Sequence, residues 1–223
     1  MDGTDVSLEA AVLRLTFQNV TSGDVRIFNT GPLTMADVDG LTESRNDGAG
    51  VIVLRAASPV TFEHDTTSVG DFTAQAVESA AVDYDHVTVQ ASVTVKSTAG
   101  DVIFEAGDRI LLLSGCVVQA TASSGDVTLR SGVDDRDGDG AMSLNGAVQA
   151  NASNGRVTLD LNAASGAAQS GSAAVAAKEL LLLSAGPAAS FSLDASAANS
   201  VDLLAANTAA AIEFRDLNGL TIG

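Results

Sequence analysis

A short phrase built around glycine recurs along this chain and limits the folds open to it. The glycines that mark it are Gly23, Gly50, Gly70, Gly100, Gly125 and Gly155, which are 27, 20, 30, 25 and 30 residues apart. The closest copies, residues 118–129 (VQATASSGDVTL) and 148–159 (VQANASNGRVTL), agree at 9 of 12 positions. Intervals of this size are typical of one repeated supersecondary unit, so the chain is predicted to be a repeat protein.

Each phrase alternates polar and apolar residues after its glycine, which is typical of a strand with one buried face. The alternation predicts that Val127 and Leu129 point inward and that Thr128 and Arg130 point outward. Apolar runs precede or follow the phrases at residues 87–95, 110–118, 141–150 and 173–183. Each unit is therefore predicted to hold two or three short strands. Gly, Ser, Asn and Asp supply the corners, where the chain turns or takes a positive φ.

Short strands at these intervals predict an all-β chain that coils and stacks on itself. We expect a right-handed parallel β-solenoid of about nine coils of roughly 25 residues, forming one domain over residues 1–223 and belonging to a larger repetitive protein. A β-sandwich is the competing architecture, but near-identical phrases at equivalent positions favour stacked coils. The Ala-rich stretch 163–183 could be helical by propensity. Gly166 and Gly171 interrupt it, so we predict further coil there, with Leu180 to Leu183 as a core strand.

Composition narrows the choice of partners. The formal charge of −17 argues against a nucleic-acid partner. Aromatic residues make up only 4%, so the core is expected to be built from Val, Leu, Ile and Ala. The single cysteine, Cys116, is expected to be a buried, inert thiol. The sequence shows neither a signal peptide nor a membrane-spanning stretch, which predicts an intracellular protein or a piece of a longer exported chain, without membrane insertion.

The repeat phrases resemble those of a known group of proteins. The form Gly-Asp-Val-Thr-Leu, together with residues 199–207 (NSVDLLAAN) and 212–223 (IEFRDLNGLTIG), resembles the repeats of large bacterial surface and secreted proteins of the filamentous haemagglutinin type. The resemblance extends over residues 22 to 223. It implies a structural or adhesive shaft at the cell surface or outside a bacterium. Because the repeat motif in that family is structural, it implies no catalytic or cofactor-binding residues.

One acidic loop suggests a metal site. Asp135, Asp137 and Asp139 stand at positions 1, 3 and 5 of an EF-hand-like loop, with Gly140 at position 6. Position 12 is Gly146 instead of a bidentate glutamate, so the loop is not an EF-hand. We predict an acidic corner insertion between strands that end near Arg130 and begin near Ala141. It either binds calcium or forms a solvated turn.

The two histidines lie in a second acidic cluster. His64 and His86 are 22 residues apart, close to one coil, and are flanked by Glu63, Asp65, Asp83 and Asp85. Imidazole and carboxylate ligands could hold a transition metal. Histidines beside exposed acidic turns are also common without a metal, and this interpretation stays open.

The predicted function follows from the architecture. Scattered arginines and the lack of aromatic sugar platforms do not suggest an enzyme, so no catalytic residue is predicted. We expect a shaft segment whose partners are neighbouring solenoid coils or copies stacked end to end, or a host or matrix glycan. The alternatives are a self-assembling fibre or sheath subunit and a glycan- or ice-binding module. The outward threonines Thr128 and Thr158 correspond to Ile103 and Val53 in other phrases, which breaks the ladder that ice binding needs.

Overall fold

A computed structural model describes residues 5–79, 84–162, 166–185 and 189–223. These residues form short strands and turns, and no helix among them is long and apolar enough to cross a membrane. The strands are β1 (Val6–Ala10), β2 (Arg14–Leu15), β3 (Gln18–Asn19), β4 (Val25–Asn29), β5 (Leu33–Met35), β6 (Glu43–Asn46), β7 (Ile52–Ala56), β8 (Val60–Phe62), β9 (Asp65–Ser68), β10 (Phe72–Ala76), β11 (Val87–Val89) and β12 (Thr94–Ser97). They continue as β13 (Val102–Ala106), β14 (Arg109–Leu112), β15 (Val117–Ala120), β16 (Val127–Ser131), β17 (Ala141–Leu144), β18 (Ala147–Gln149), β19 (Arg156–Leu161), β20 (Ala167–Gln169), β21 (Ala174–Ser184), β22 (Ser190–Leu193), β23 (Ser200–Asn207), β24 (Ala211–Phe214) and β25 (Thr221–Ile222).

The strands stack as a parallel β-solenoid with three faces. Face one follows the order β1, β4, β7, β10, β13, β16, β19 and continues through β21 and β23 to β25. Face two is a sheet of nine strands, β2, β5, β8, β11, β14, β17, β20, β22 and β24. Face three contains β3, β6, β9, β12, β15 and β18 and continues through the first parts of β21 and β23. Among the described residues, one strand of face two per coil gives nine coils, and β25 begins another on face one. This confirms the predicted parallel solenoid and its size of about nine coils.

The repeat phrases are in register from coil to coil. The two phrases that match at a shift of 30 lie in adjacent coils, where Val118 pairs with Val148 and Val127 with Val157. Val127 and Leu129 are fully buried, whereas Thr128 is half-buried and Arg130 is exposed. The predicted strand phase is therefore confirmed.

The core departs from the predicted aliphatic composition. Phe62, Phe72, Phe104 and Phe191 are fully buried. The rings of Phe62 and Phe104 are stacked at 5.8 Å, and Phe72 packs against both at 5.8 and 6.2 Å. The expectation that Val, Leu, Ile and Ala alone build the core was wrong. Phe62, Phe72 and Phe104 point inward from neighbouring coils, so a few aromatic residues are enough to pack together in the interior. Cys116 is buried and unpaired, as expected, and burial raises the pKa of its thiol to about 11.

The repeated glycines stack on one another at the corner between face three and face one, which we call the glycine corner (Gly23, Gly50, Gly70, Gly100, Gly125, Gly155). A Cβ on Gly50 would lie 2.1 Å from the carbonyl oxygen of Gly23, and a Cβ on Gly155 would lie 2.4 Å from that of Gly125. Of these glycines only Gly23 has a positive φ, of 100°. Glycine is therefore required mainly for close approach between coils, and less for the positive φ that the sequence suggested.

The aspartate that follows many of these glycines ties neighbouring coils together. Asp71 Oδ1 accepts a hydrogen bond from the backbone N–H of Asp101 at 3.0 Å, and Asp101 Oδ1 accepts one from that of Asp126 at 2.9 Å. Asp126 Oδ1 in turn accepts one from Arg156 at 2.7 Å. These contacts explain the Gly-Asp phrase, because the glycine lets the coils meet and the aspartate satisfies a backbone donor of the next coil.

The glycine corner disappears in the last coils. Ala177, Lys178 and Glu179 replace the phrase, and β21 runs through 11 residues from face three to face one. Two half-buried residues in succession, Lys178 and Glu179, shift the phase so that Val175 and Leu180 both point inward. Leu180 to Leu183 form the predicted core strand, with Leu180 and Leu182 buried.

Candidate metal centre

The acidic loop lies at the corner between face one and face two, and the number of residues in this corner differs among three successive coils. The segments between face one and face two are residues 77–86 in the fourth coil, 107–108 in the fifth and 132–140 in the sixth. Two long insertions thus flank a corner of two residues. We call this region the acidic corner, defined by Glu78, Asp85, Asp108, Asp135, Asp137 and Asp139.

Asp135 organises the sixth-coil insertion. Its Oδ1 accepts hydrogen bonds from the backbone N–H groups of Asp137 at 3.1 Å and Gly138 at 2.6 Å, and its Oδ2 accepts one from Gly140 at 3.1 Å. Burial raises the pKa of Asp135, but these backbone donors outweigh burial, so the net pKa is lowered from its usual value. This carboxylate is held ionised and shapes the loop.

Asp137 and Asp139 have oxygens that the protein leaves without hydrogen bonds. All four of these carboxylate oxygens are shielded from solvent and accept no hydrogen bond. Burial, together with nearby Asp108 and Asp137, raises the pKa of Asp139 to about 6. Shielded carboxylates without donors are costly, which is the chemical situation that a bound cation relieves.

Asp108 from the fifth coil completes this group. It is fully buried, its Oδ2 accepts hydrogen bonds from the backbone N–H groups of Tyr84 at 2.6 Å and Asp85 at 2.7 Å, and its Oδ1 accepts none. One ligand oxygen each from Asp108, Asp135, Asp137 and Asp139 lies within 4.8 Å of the others. Oxygens bound to one Ca²⁺ at about 2.3–2.6 Å are at most about 5.2 Å apart, so the group fits one calcium ion.

The structure thus brings the three predicted aspartates together and adds residues that the loop motif does not contain. Asp108 precedes Asp135 by 27 residues and follows Asp85 by 23 residues, both close to one coil. Counting back by one coil length from the loop indicates the region of these acidic neighbours, but intervals of 20 to 30 residues do not single them out. The EF-hand comparison does not indicate them, because its ligands are local in sequence.

Glu78 and Asp85 form the other side of the acidic corner. One ligand oxygen from each lies within 4.8 Å of one from Asp108. Glu78 Oε1 accepts a hydrogen bond from the backbone N–H of Arg136 at 3.3 Å, which joins the two insertions across the fifth coil. Glu78 Oε2 is shielded and accepts none. Burial raises the pKa of Glu78 to about 7, with the neighbouring carboxylates of Asp108, Asp85 and Asp137 acting in the same direction.

The two histidines lie on opposite sides of face two. His86 precedes β11 at the acidic corner, with Nε2 4.0 Å from Asp108 Oδ2. His64 follows β8 at the corner with face three. Neither belongs to a metal-ligand group among the described residues, and Asp83 lies outside those residues. The structure therefore does not bring the predicted histidine cluster together.

His64 instead takes part in a hydrogen-bond chain that the sequence did not suggest. Its Nε2 lies 2.9 Å from Ser44 Oγ and its Nδ1 3.4 Å from Asp37 Oδ1, the connectivity of a catalytic triad. Ser44 is fully buried, and its Oγ also accepts a hydrogen bond from the backbone N–H of Phe17 at 3.3 Å. Phe17 lies in the first coil, Ser44 in the second and His64 in the third, so these hydrogen bonds link three coils. Burial lowers the pKa of His64, against the opposing effect of Asp37, which favours the neutral ring.

The outward threonine ladder of face one is interrupted. In register order that ladder contains Val53, Thr73, Ile103, Thr128 and Thr158. Face two carries a shorter run of Thr34, Thr61 and Thr88, which is followed by Leu111.

No protein-family model, curated protein or solved structure matches this chain. The function is therefore inferred from the solenoid, the acidic corner and the repeat phrases of the chain itself.

Proposed function

We propose that this chain is a structural segment in the shaft of a large extracellular or surface-exposed bacterial protein, and that calcium at its acidic corner fastens the coils together. The observation that carries the proposal is the parallel register maintained through nine coils. At about 4.8 Å per coil, the stack spans about 40 Å, and further coils would lengthen it with the same parallel pairing. The repeat phrases that resemble filamentous haemagglutinin support the extracellular setting.

Calcium is the cation best suited to this corner. Ca²⁺ accepts several carboxylate oxygens in flexible geometry, whereas Mg²⁺ demands a near-ideal octahedron and keeps several waters. Asp108 comes from the fifth coil, and Asp137 and Asp139 come from the sixth. An ion held between them links the two coils where the insertion leaves the sheet. It also offsets part of the self-repulsion of a chain with net charge −17.

Thermal unfolding at constant ionic strength tests the calcium site. At a hundredfold excess of calcium over its Kd, the folded state gains about 2.7 kcal/mol, which is a rise in Tm of about 5–10 °C for a chain of this size. We expect this rise with calcium chloride and not with sodium chloride of equal ionic strength. It should disappear in the triple variant Asp135→Asn, Asp137→Asn, Asp139→Asn. An equal response of the variant and the parent would contradict the site.

Solution scattering and electron microscopy test the shaft. A shaft segment should appear as an isolated short rod, and a globular outline would contradict the proposal.

A self-assembling fibre subunit is the second candidate, and the observation behind it is the exposed apolar side chains on the first and last described coils. The first coil exposes Val6 (46%), Leu8 (40%) and Leu13 (71%), and the last exposes Leu217 (63%) and Ile222 (70%). Uncovered strand edges with apolar side chains are templates for further stacking, either by a further coil of the same polypeptide or by a second copy of the chain. Concentration-dependent filaments in the micrographs would favour the fibre subunit, and short rods at every concentration would favour the shaft.

A further inference from the structure

Asp108 lies between two groups of carboxylates. Asp135, Asp137 and Asp139 approach it from the sixth coil, and Glu78 and Asp85 approach it from the fourth. Asp108 is 0% exposed, and its Oδ1 accepts no hydrogen bond, although Oδ2 accepts two from the backbone. A fully buried carboxylate oxygen without a donor is rare, because its desolvation is not compensated. It therefore indicates a cation in contact with this side chain.

The fourth-coil carboxylates, Glu78 and Asp85, are also suited to bind a cation. Glu78 Oε2 is shielded from solvent and accepts no hydrogen bond. Asp85 is fully buried, and its two oxygens accept hydrogen bonds from the Ser58 hydroxyl and the Ser79 backbone N–H. Each carboxylate oxygen has a second lone pair, so these contacts hold Asp85 in place and leave it able to bind a metal.

Gly107 makes room for this group. A Cβ at this position would lie 2.5 Å from Glu78 Oε2, 2.7 Å from Glu78 Cα and 3.0 Å from Asp85 Cβ. Only glycine at this position lets Glu78 and Asp85 of the fourth coil lie this close to the fifth coil. The close approach brings Glu78 and Asp85 within ligand distance of Asp108.

The charges at the corner exceed what one divalent ion balances. Six carboxylates converge there from three coils. On the cationic side, Arg109 donates a hydrogen bond from Nε to the backbone oxygen of Asp139 at 3.2 Å, and His86 lies 4.0 Å from Asp108 and carries charge only when protonated. One ion among Asp108, Asp137 and Asp139 does not contact the fourth-coil pair, Glu78 and Asp85.

We propose that the acidic corner binds two calcium ions: one among Asp108, Asp135, Asp137 and Asp139, and a second among Glu78, Asp85 and Asp108. Asp108 is the ligand that the two ions share. The second ion fastens the fourth coil to the fifth as the first fastens the fifth to the sixth. The pair therefore ties three successive coils together at one corner. This inference rests on the calcium site of the proposed function and extends it.

Calcium stoichiometry tests the second site. The full chain is freed of metal by chelation and titrated with calcium chloride by isothermal titration calorimetry, and the count is checked by native mass spectrometry. We expect two ions per chain for the parent. Glu78→Gln should bind one, because the amide keeps the acceptor for the Arg136 N–H and loses the charged ligand. The pair Asp137→Asn and Asp139→Asn should also bind one, and Asp108→Asn should weaken both sites at least tenfold. Asp194→Asn is the matched control, since it removes one exposed carboxylate in a distant coil and should still bind two.

The outcomes separate the two proposals. A parent that binds one ion, with Glu78→Gln unchanged in count and affinity, would overturn the second site and leave the first intact. Two ions retained by Glu78→Gln would place the second ion elsewhere and also overturn this inference. A parent that binds no calcium would overturn both. Circular dichroism of each variant in chelator establishes that lost binding is not lost folding.

Discussion

Gly50→Ala tests why glycine repeats along this chain. The added Cβ would lie 2.1 Å from the carbonyl oxygen of Gly23, 2.3 Å from its carbonyl carbon and 2.8 Å from the backbone nitrogen of Asp24. These neighbours are all backbone atoms, so no side chain can rotate away. An ordinary carbon–oxygen contact is about 3.3 Å or longer, and the two coils would therefore have to separate by about 1.2 Å at the glycine corner.

The cost follows from the hydrogen bonds that this separation stretches. The Val25 N–H donates to the carbonyl oxygen of Val51 at 2.9 Å, and the Val51 N–H donates to Asp24 Oδ1 at 3.0 Å. Lengthened by about 1.2 Å, neither is still a hydrogen bond, and each contributes about 1 kcal/mol. Residual overpacking adds about 1–3 kcal/mol. The lower entropy of the unfolded alanine chain returns about 0.4–1 kcal/mol. The expected loss is about 2–5 kcal/mol.

Urea denaturation followed by circular dichroism measures this loss, and a thermal scan should show a fall in Tm of about 5–15 °C. Gly31→Ala is the matched control. A Cβ on Gly31 would meet nothing within 4 Å, and its φ is not positive. We expect that variant to be neutral or slightly stabilised. Indistinguishable unfolding of the two variants would refute the close-approach explanation of the glycine repeat.

Three further predictions concern the coils and the buried histidine. Leu129→Asp should lower the free energy of unfolding by several kcal/mol because it buries an unpaired charge, whereas Thr128→Asp on the outward side should be mild; equal effects would reject the strand phase. Asp101→Ala should cost about 1 kcal/mol by leaving the N–H of Asp126 without its acceptor, and Asp101→Asn should cost less; an asparagine as damaging as alanine would assign the effect to charge instead. His64 has a lowered pKa, so the unfolded chain binds its proton first, and the contribution of His64 to stability should fall as pH drops below about 6.5. Glu78 and Asp139, whose pKa values are raised, act in the opposite direction in this pH range, so the test is the difference between parent and His64→Gln: the parent should lose stability relative to the variant as pH drops below about 6.5, and a difference in urea midpoints that does not change with pH would exclude this role of His64.

The coil architecture was predictable because each coil repeats the strand and corner pattern of the coil before it, so similar phrases recur along the sequence. Equivalent residues such as Val127 and Val157 face the same interior and so share the same constraint. The reason for the glycines was not predictable to the same degree. Glycine is favoured at a corner either because the backbone has a positive φ or because two coils come into close contact. Only the distance between Gly50 and Gly23 distinguishes these two explanations.

The sequence predicted only those residues of the acidic corner that lie within one loop. Asp135, Asp137 and Asp139 alternate within one loop, so their spacing reveals them. Asp108 and Glu78 come from other coils, and the insertions at this corner make the spacing between equivalent residues irregular. A fully buried aspartate is also indistinguishable in sequence from an exposed turn aspartate, because both follow glycine before a strand.

The insertions at the acidic corner leave the strands around them undisturbed. β10 and β13 pair from Phe72 with Val102 to Ala76 with Ala106, although the segments that follow them differ in length by eight residues, 77–86 against 107–108. Small insertions and deletions in the gene can therefore accumulate at this corner while selection on the coil interior stays satisfied. Homologous chains should therefore differ in the length of these loops and keep the six carboxylates that the proposed calcium sites require.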